Sequence, residues 1–259
     1  AGKPAEPLMH CGPGLANGIS NAHNVRSANT PMVNIVGDHA TYHLPFDAPL
    51  TYDTEGLART VSHWLCRSGS SNRIGVDAAS AVQAAMAPPG QIATLILPSD
   101  TAWSDGGKVA NPLPVQKRSE VGPEKIRNVA VALRKRERTV IVLSGQSISE
   151  EGLVAAQRVA HGSGAMLKTS TQIPRMARGR GRVPVDRIPY VIEKAVSVLE
   201  GVRHVVLVSA NPPTAFFGYP GKPSLLSPTD AQIYVLAKPE EYAVAALASI
   251  AEELGAPAN

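Results

Sequence analysis

Short runs of branched apolar residues recur along the chain, separated by stretches with helical spacing. Each run is bounded by glycine, proline or polar residues, and the clearest are Met32–Val36, Ile92–Leu97, Thr139–Leu143 and His204–Ser209. Continuous apolar runs of this length are typical of parallel strands buried on both faces. Strands that alternate with helices require right-handed crossovers, so this order predicts an α/β fold built on parallel sheets.

The alternation is interrupted once, which divides the chain in two. Residues 108–122 are polar, contain prolines and lack periodicity, so we predict a linker there. The length of 259 residues suits two domains, expected at residues 1–107 and 123–259. Each is predicted to be a doubly wound parallel-sheet domain. Because residues 7–10 already have the pattern of a strand, the first domain is expected to be incomplete at its N-terminus.

The spacing of apolar residues also predicts the helices of the first domain. Leu15–Ser27, Thr54–Trp64 and Asp77–Met86 each carry apolar residues three or four positions apart. The segment SDTAWSDGG, which follows Ile92–Leu97, is predicted to be a loop.

The composition is that of an ordinary globular protein. Hydrophobic residues make up 44% of the chain and charged residues 18%. No apolar run approaches the ~18 residues of a membrane span, and no signal peptide is visible. Two cysteines cannot form a disulfide framework. We therefore expect a cytoplasmic protein that does not enter a membrane.

The formal net charge of +4 permits anionic partners without requiring them. The most basic run, Arg175–Arg182, could contact nucleic acid. It is short, contains no aromatic residue and belongs to no recognisable binding module. A solvated loop is the preferred interpretation, and nucleic acid is not an expected partner.

Two clusters of polar residues follow predicted strands of the first domain. Residues 10–14 (HCGPG) begin at the last residue of the predicted strand at 8–10, and residues 37–39 (GDH) directly follow Met32–Val36. Ligands of parallel α/β sheets bind beyond the carboxyl ends of the strands. One crevice could therefore hold both clusters.

The segment Gly12-Pro13-Gly14 has two interpretations. Its backbone N–H groups, placed before a helix N-terminus, could cradle a ligand. Alternatively, it is a tight turn between a strand and the helix at Leu15–Ser27. It matches neither the dinucleotide fingerprint nor the P-loop.

His39 and His43 follow the strongest predicted strand. A histidine at this position can act as an acid or base, or can hydrogen-bond to a developing oxyanion. Structural hydrogen bonding within the loop is the alternative. A spacing of four would suit zinc on a helix, but the segment reads as a loop without an HExxH motif, so no metal ligands are assigned. Cys11 lacks an evident base and orienting group, so a packed thiol is preferred over a nucleophile.

The stretch GPGLANGISNAHNVRSANTPMVNIVGDHATYH resembles the pyrimidine-binding domain of thiamine-diphosphate-dependent enzymes. It is most similar to acetolactate synthase large subunits and related 2-oxoacid decarboxylases. In that family a Gly-Pro-Gly turn, a small-residue helix, a Thr-Pro strand and a glycine-polar loop occur in this order. Residues 87–107 resemble the end of that domain. Residues 140–145, 204–224 and 231–241 resemble the Rossmann-like central domain.

The resemblance implies a lyase or transferase that uses thiamine diphosphate and Mg²⁺ in the complete enzyme, acting on a 2-oxoacid such as pyruvate. Matched by position, the cofactor-binding residues would be Gly12, Pro13, Gly14, Asn17, Gly37 and Asp38, and the catalytic residues would be His39 and His43. A homodimer or tetramer is implied, because sites in this family form between subunits. Some relatives bind FAD in the central domain, and no residue here indicates whether this chain does.

Two parts of the family's site have no counterpart among these residues. The activating glutamate lies upstream of the Gly-Pro-Gly turn in the family, and the diphosphate-binding domain carries a GDG motif. The expectation is therefore a fragment that is inactive alone. The alternative is a non-catalytic α/β binding or assembly module for a nucleotide-like ligand.

Overall fold

A computed structural model describes residues 3–257, which form two compact units. The first unit ends at Lys117 and the second begins at Arg118. Each unit has one parallel sheet with helices on both of its faces, so the predicted α/β fold with two parallel sheets is confirmed. Residues 104–122 contain no helix or strand. No helix within residues 3–257 is both long and apolar enough to cross a membrane.

The first unit is built on a four-stranded sheet in the order β1-β2-β4-β3. Its strands, all parallel, are β1 (Leu8–His10), β2 (Met32–Asp38), β3 (Trp64–Arg67) and β4 (Ile92–Pro98). Its helices are α1 (Cys11–Ser27), α2 (Thr54–Arg59), α3 (Ile74–Met86) and α4 (Ser99–Trp103). The register pairs His10 with Gly37 and Asp38 with Pro98, so the carboxyl ends of β1, β2 and β4 lie side by side.

Side chains of β2 and β4 face two separate hydrophobic layers. Val33 and Leu95 pack with Ala81 of α3 on one face. Val36 packs with Leu15 of α1 on the opposite face. Because successive residues of a strand point to opposite faces, burial on both sides requires apolar residues at nearly every position. This is why these strands are recognisable in the sequence.

The second unit is built on a five-stranded sheet in the order β7-β6-β5-β8-β9. Its strands, all parallel, are β5 (Thr139–Leu143), β6 (Met166–Thr169), β7 (Asp186–Arg187), β8 (His204–Val208) and β9 (Gln232–Ala237). Its helices are α5 (Pro123–Arg134), α6 (Glu150–Ser163), α7 (Ile192–Leu199) and α8 (Ala243–Glu253). Helices α5, α6 and α8 cover one face and α7 covers the other.

The predicted helix over Thr54–Trp64 is wrong beyond Arg59. Helix α2 ends there, and Trp64 begins the unpredicted strand β3. The four residues of β3 are only half-buried, and the strand lies at the edge of its sheet. An edge strand of this length does not produce the continuous apolar run by which the buried strands were recognised.

The Gly-Pro-Gly segment is part of α1 rather than a turn before it. The helix begins at Cys11, and the chain reverses there because Cys11 adopts the left-handed φ of 49°. Pro13 is tolerated because N–H groups in the first helical turn have no partner within the helix. The predicted loop after Ile92–Leu97 also starts with a helix, since residues 99–103 form α4.

Candidate functional site

The carboxyl edge of the first sheet brings both polar clusters together. His10 ends β1 and pairs with Gly37 near the end of β2. A β-carbon added to Gly37 would lie 3.8 Å from His10 Nδ1. Gly37 and Asp38 are the last two residues of β2 rather than the start of a loop. Residues 10–14 and 37–39 therefore border one edge of the sheet.

The Asp38 carboxylate is buried at this edge and is paired with Arg67. Arg67 Nη1 donates to Asp38 Oδ2 at 2.8 Å, and the backbone N–H of His39 donates to Oδ1 at 2.9 Å. The Asp38 side chain is 1% exposed and that of Arg67 is 26% exposed. A buried carboxylate is costly unless it is paired and hydrogen-bonded. Both oxygens are used here to hold neighbouring protein groups.

Arg67 also contacts the helix that follows the 47–53 segment. Its Nε donates to Glu55 Oε1 at 3.0 Å, and Glu55 lies in the first turn of α2. The other oxygen of Glu55 is 3.4 Å from Arg59 Nη2. One guanidinium therefore links the end of β2 to the start of α2.

His39 and His43 lie in one short loop with their rings close together. The ring centroids are 5.6 Å apart and the rings are tilted by 56°. His39 Nε2 is buried and has no hydrogen-bond partner among the described residues. A buried polar atom without a partner costs free energy, and an imidazole nitrogen can accept or donate a proton. His39 Nε2 therefore has no hydrogen-bond partner within residues 3–257, although it is shielded from solvent.

The same loop is anchored by Asp100 at Thr41. The Asp100 carboxylate accepts hydrogen bonds from the Thr41 backbone N–H at 3.0 Å and from the Thr41 hydroxyl at 2.5 Å. The hydrogen bond from the hydroxyl is the main reason that the pKa of Asp100 lies below its ordinary value. Asp100 belongs to α4, directly after β4. The loop is thus held at His39 through Asp38 and at Thr41 through Asp100.

The four predicted cofactor-binding residues of α1 differ in exposure. Gly12 is buried under Tyr52, and Gly14 is half-buried. Pro13 and Asn17 are exposed, and their spacing of four places them on one face of the helix. The Pro13–Asn17 face of α1 is therefore exposed to solvent, whereas Gly12 is covered by Tyr52.

Cys11 is a packed thiol rather than an activated one. It is 1% exposed, and its Sγ lies 3.7 Å from His10 Nε2. Burial raises the pKa of the Cys11 thiol, and the negative charge of Asp38 raises it further. The nucleophilic form of cysteine is the thiolate, so these surroundings agree with the preferred interpretation of Cys11.

Mg²⁺ prefers several oxygen ligands in near-octahedral geometry. Within residues 3–257, no group of three or more His, Cys, Asp or Glu side chains is arranged to hold a metal ion. The buried carboxylate of Asp38 is already engaged by Arg67 and His39. Asp38 therefore has no carboxylate oxygen without a protein partner.

In the second sheet the strand order reverses between β5 and β8. Such reversals are the usual ligand positions of doubly wound sheets. Gly145 and Ser209 follow the two strands with left-handed φ values of 53° and 52°. Gln146 Oε1 and Ser209 Oγ are buried without hydrogen-bond partners among the described residues. Sequence reasoning missed Gln146; the signal was a Ser-Gly-Gln sequence directly after a buried strand.

The basic run Arg175–Arg182 lies in the connection between β6 and β7 and contains no helix or strand. Arg178 Nη2 donates to the Val185 carbonyl at 3.0 Å, and Arg182 forms an ion pair with Glu150. These contacts agree with the interpretation of the run as a loop.

Comparison with known proteins identifies a relative along almost the whole chain. A Mycobacterium tuberculosis protein named "Putative acetolactate synthase large subunit IlvX" is 44% identical over 254 residues, which is 98% of this chain. The chain spans 48% of the length of that relative. No protein-family model matches the chain.

Two solved structures share the fold. One is described as "X-ray structure of a putative thiamin diphosphate-dependent enzyme isolated from Mycobacterium smegmatis". It has a TM-score of 0.80 at 19% identity, and the match covers 100% of this chain and 52% of that chain. The other is a Rhodococcus jostii RHA1 thiamine diphosphate-dependent 4-hydroxybenzoylformate decarboxylase, with a TM-score of 0.74 at 16% identity. That match covers 95% of this chain and 50% of that chain. At these identities the likeness establishes the fold.

Proposed function

Because the chain is an acetolactate-synthase-like relative of the thiamine-diphosphate-dependent enzymes, we propose that its first unit supplies one wall of a 2-oxoacid decarboxylase or carboligase site. The observation that carries this proposal is the buried, unpartnered His39 Nε2 at the edge shared by residues 10–14 and 37–39. We assign residues 1–107 to a pyrimidine-binding-like domain, 108–122 to a linker and 123–259 to a central domain. The division into compact units near residue 117 supports this assignment.

The residues at this edge suit the aminopyrimidine half of thiamine diphosphate, which offers ring nitrogens and an amino group. Asn17 presents an exposed amide, and the backbone of Gly37 lies beside His10. When bound, thiamine diphosphate supplies the nucleophilic carbon and the electron sink that 2-oxoacid decarboxylation requires. We propose pyruvate or a similar 2-oxoacid as the substrate.

His39 is the proposed acid or base, because its Nε2 can hold or release a proton without first breaking a protein hydrogen bond. His43 lies beside it, with the two ring centroids 5.6 Å apart. Asp38 and Asp100 hold the histidine loop. A preorganised loop is what positions a proton donor for catalysis at low cost.

We further propose that Mg²⁺ and the diphosphate group are held by residues outside this chain, and that the working protein is a homodimer or tetramer. The lack of a metal-binding cluster within residues 3–257 supports this division. The chain alone, supplied with thiamine diphosphate, Mg²⁺ and pyruvate, should release no carbon dioxide above the buffer rate. Turnover by the chain alone would contradict the proposed division.

Binding is tested with hydroxymethylpyrimidine, which represents the pyrimidine half of the cofactor. Titrated at millimolar concentration into the deuterated, nitrogen-15-labelled chain, it should shift the amide resonances of Gly14, Asn17, Gly37 and His39. Inorganic pyrophosphate is the matched control and should leave those amides unshifted. A titration in which none of these amides responds to the pyrimidine would refute the proposed site.

A second candidate is a non-catalytic module that binds a nucleotide-like ligand. The unpartnered Gln146 Oε1 and Ser209 Oγ, at the strand reversal of the second sheet, favour it. In this case adenosine diphosphate, rather than hydroxymethylpyrimidine, should shift the amides of Ser144–Ser147 and Ser209. Shifts there without any response at His39 would favour the module over the enzyme.

A further inference from the structure

Arg67 is a partly buried cation at the site edge to which neither the sequence patterns nor the proposed chemistry assigns a role. It ends β3, at the edge of the sheet, and its side chain extends between two carboxylates. We propose that Arg67 is a positioning residue, which fixes the His39 backbone, and with it the His39 ring, through the Asp38 carboxylate. The importance of this for catalysis rests on the proposed function, whereas the positioning itself is a property of the chain alone.

The connection from Arg67 to His39 consists of two short, charge-assisted hydrogen bonds. Arg67 Nη1 lies 2.8 Å from Asp38 Oδ2, and Asp38 Oδ1 lies 2.9 Å from the His39 backbone nitrogen. Hydrogen bonds with an ionised partner are about twice as strong as neutral ones. Because the Asp38 side chain is 1% exposed, water does not compete for it. The orientation of one carboxylate therefore determines where the loop leaves β2.

The same guanidinium restrains the segment on the other side of the edge. Arg67 Nε lies 3.0 Å from Glu55 Oε1. Just before Glu55, the Asp53 side chain caps α2 by accepting from the Gly56 N–H at 2.8 Å. Tyr52, which covers Gly12, precedes this cap. Arg67 thus ties the histidine loop and the segment that covers α1 to one rigid group.

Position 67 requires the planar fork of arginine rather than a positive charge alone. Nε and Nη1 donate in two fixed directions to two different carboxylates. A lysine has one nitrogen, which cannot occupy both positions. In contrast, packing of β3 depends on Leu65 and Trp64, which face the two hydrophobic layers. Substitution of Arg67 should therefore disturb the site edge more than the sheet.

Arg59 provides a matched control. Its Nη2 lies 3.4 Å from Glu55 Oε2, so it shares a partner with Arg67. Its side chain is 67% exposed, and among the described residues it forms no hydrogen bond or ion pair with Asp38. Comparison of Arg67→Gln with Arg59→Gln separates the effect of losing the contact with Asp38 from the effect of losing an arginine beside Glu55.

The experiment measures hydrogen exchange of the His39 amide and the resonances of the His39 ring. In Arg67→Gln, exchange at His39 should accelerate about tenfold, as expected for loss of one net hydrogen bond, and the ring resonances should shift. The amide of Ile96 in β4 should keep its wild-type rate. Arg59→Gln should match the wild type, and Arg67→Lys should restore less than half of the protection.

An unchanged His39 amide in folded Arg67→Gln would overturn the proposal. Equal acceleration at His39 and Ile96 would also overturn it, because Arg67 would then stabilise the whole sheet. If Arg67→Gln does not fold, Arg67→Lys replaces it, and the same two outcomes apply. The hydroxymethylpyrimidine titration separates this proposal from the proposed function. If the chain does not bind the pyrimidine but Arg67→Gln still accelerates exchange at His39, the proposed function is refuted and the positioning role of Arg67 stands.

Discussion

Tyr52 lies directly over Gly12, so that a β-carbon built on Gly12 would be 2.3 Å from the Tyr52 β-carbon. Tyr52 is nevertheless 61% exposed, because only the inner part of its side chain touches α1. The absence of a side chain at position 12 is therefore a packing requirement of the first unit. The glycine to which the family resemblance gives a cofactor-binding role is also needed to admit a neighbouring segment.

Gly12→Ala should destabilise the first unit by about 1–3 kcal/mol, the usual cost of forcing an atom into a packed contact. Urea unfolding followed by tryptophan fluorescence measures this, since both tryptophans, Trp64 and Trp103, lie in the first unit. Gly14→Ala is the control, because its added β-carbon would lie 3.5 Å from His10 Cβ, an ordinary contact. An equal loss in both variants would contradict the role given to Tyr52.

Thr41→Val should raise the pKa of Asp100 toward the ordinary value of about 3.9. The hydrogen bond from the Thr41 hydroxyl is the largest cause that lowers this pKa, and valine cannot donate it. Carbon-13 titration of the Asp100 carboxyl measures the change. Thr41→Ser retains the hydroxyl and should keep the pKa low. If the valine and serine variants titrate alike, the hydroxyl is not the cause.

Glu241 of the second unit should contribute stability that disappears in acid. Burial alone would raise its pKa, but hydrogen bonds from Lys125 Nζ at 2.8 Å and the Lys238 backbone N–H at 2.7 Å hold the pKa below its ordinary value. A carboxyl whose pKa is lowered by folding stabilises the folded state above its unfolded pKa of about 4.3. This stability is lost as the pH falls through the lower, folded-state pKa.

Glu241→Gln should therefore cost about 0.5–1 kcal/mol near pH 7, since Lys125 is partly exposed to solvent. The difference from the wild type should shrink as the pH falls below 4.3. Urea unfolding followed by amide resonances of β8 and β9 measures it in the second unit. Glu252→Gln, at an exposed position of α8, is the control and should leave the free energy of unfolding near pH 7 within about 0.5 kcal/mol of the wild type. A pH-independent loss at Glu241 would point to packing instead.

The thiol of Cys11 should resist labelling in the folded chain. Burial keeps the reagent from reaching the thiol, and the raised pKa lowers the fraction of reactive thiolate. In Cys66→Ala, which leaves Cys11 as the single cysteine, a maleimide reagent at pH 7 should react far more slowly than in urea. Mass spectrometry measures the rate. Rapid labelling of the folded chain would revive the nucleophile interpretation of Cys11.

Several local features were predictable, and the two exceptions have different causes. The buried strands β2, β4, β5 and β8 were recognised because burial on both faces demands continuous apolar runs. Strand β3 was missed because an edge strand is only half-buried. The start of α1 was placed too late, because a left-handed residue at Cys11 is not encoded by any residue-type preference.

The sequence by itself determined that the chain folds into parallel sheets and that residues 10–14 and 37–39 lie at the same edge, because parallel strands place all their carboxyl ends on one side. Only the tertiary structure decided which side chains meet there. Arg67 reaches Asp38 across 29 residues, and Thr41 reaches Asp100 across 59. Such pairs depend on the strand order β1-β2-β4-β3. Local periodicity indicates whether a residue is buried, but strand order is set by how whole layers pack. The partners of Asp38 and Asp100 therefore could not be deduced from the spacing of residues in the sequence.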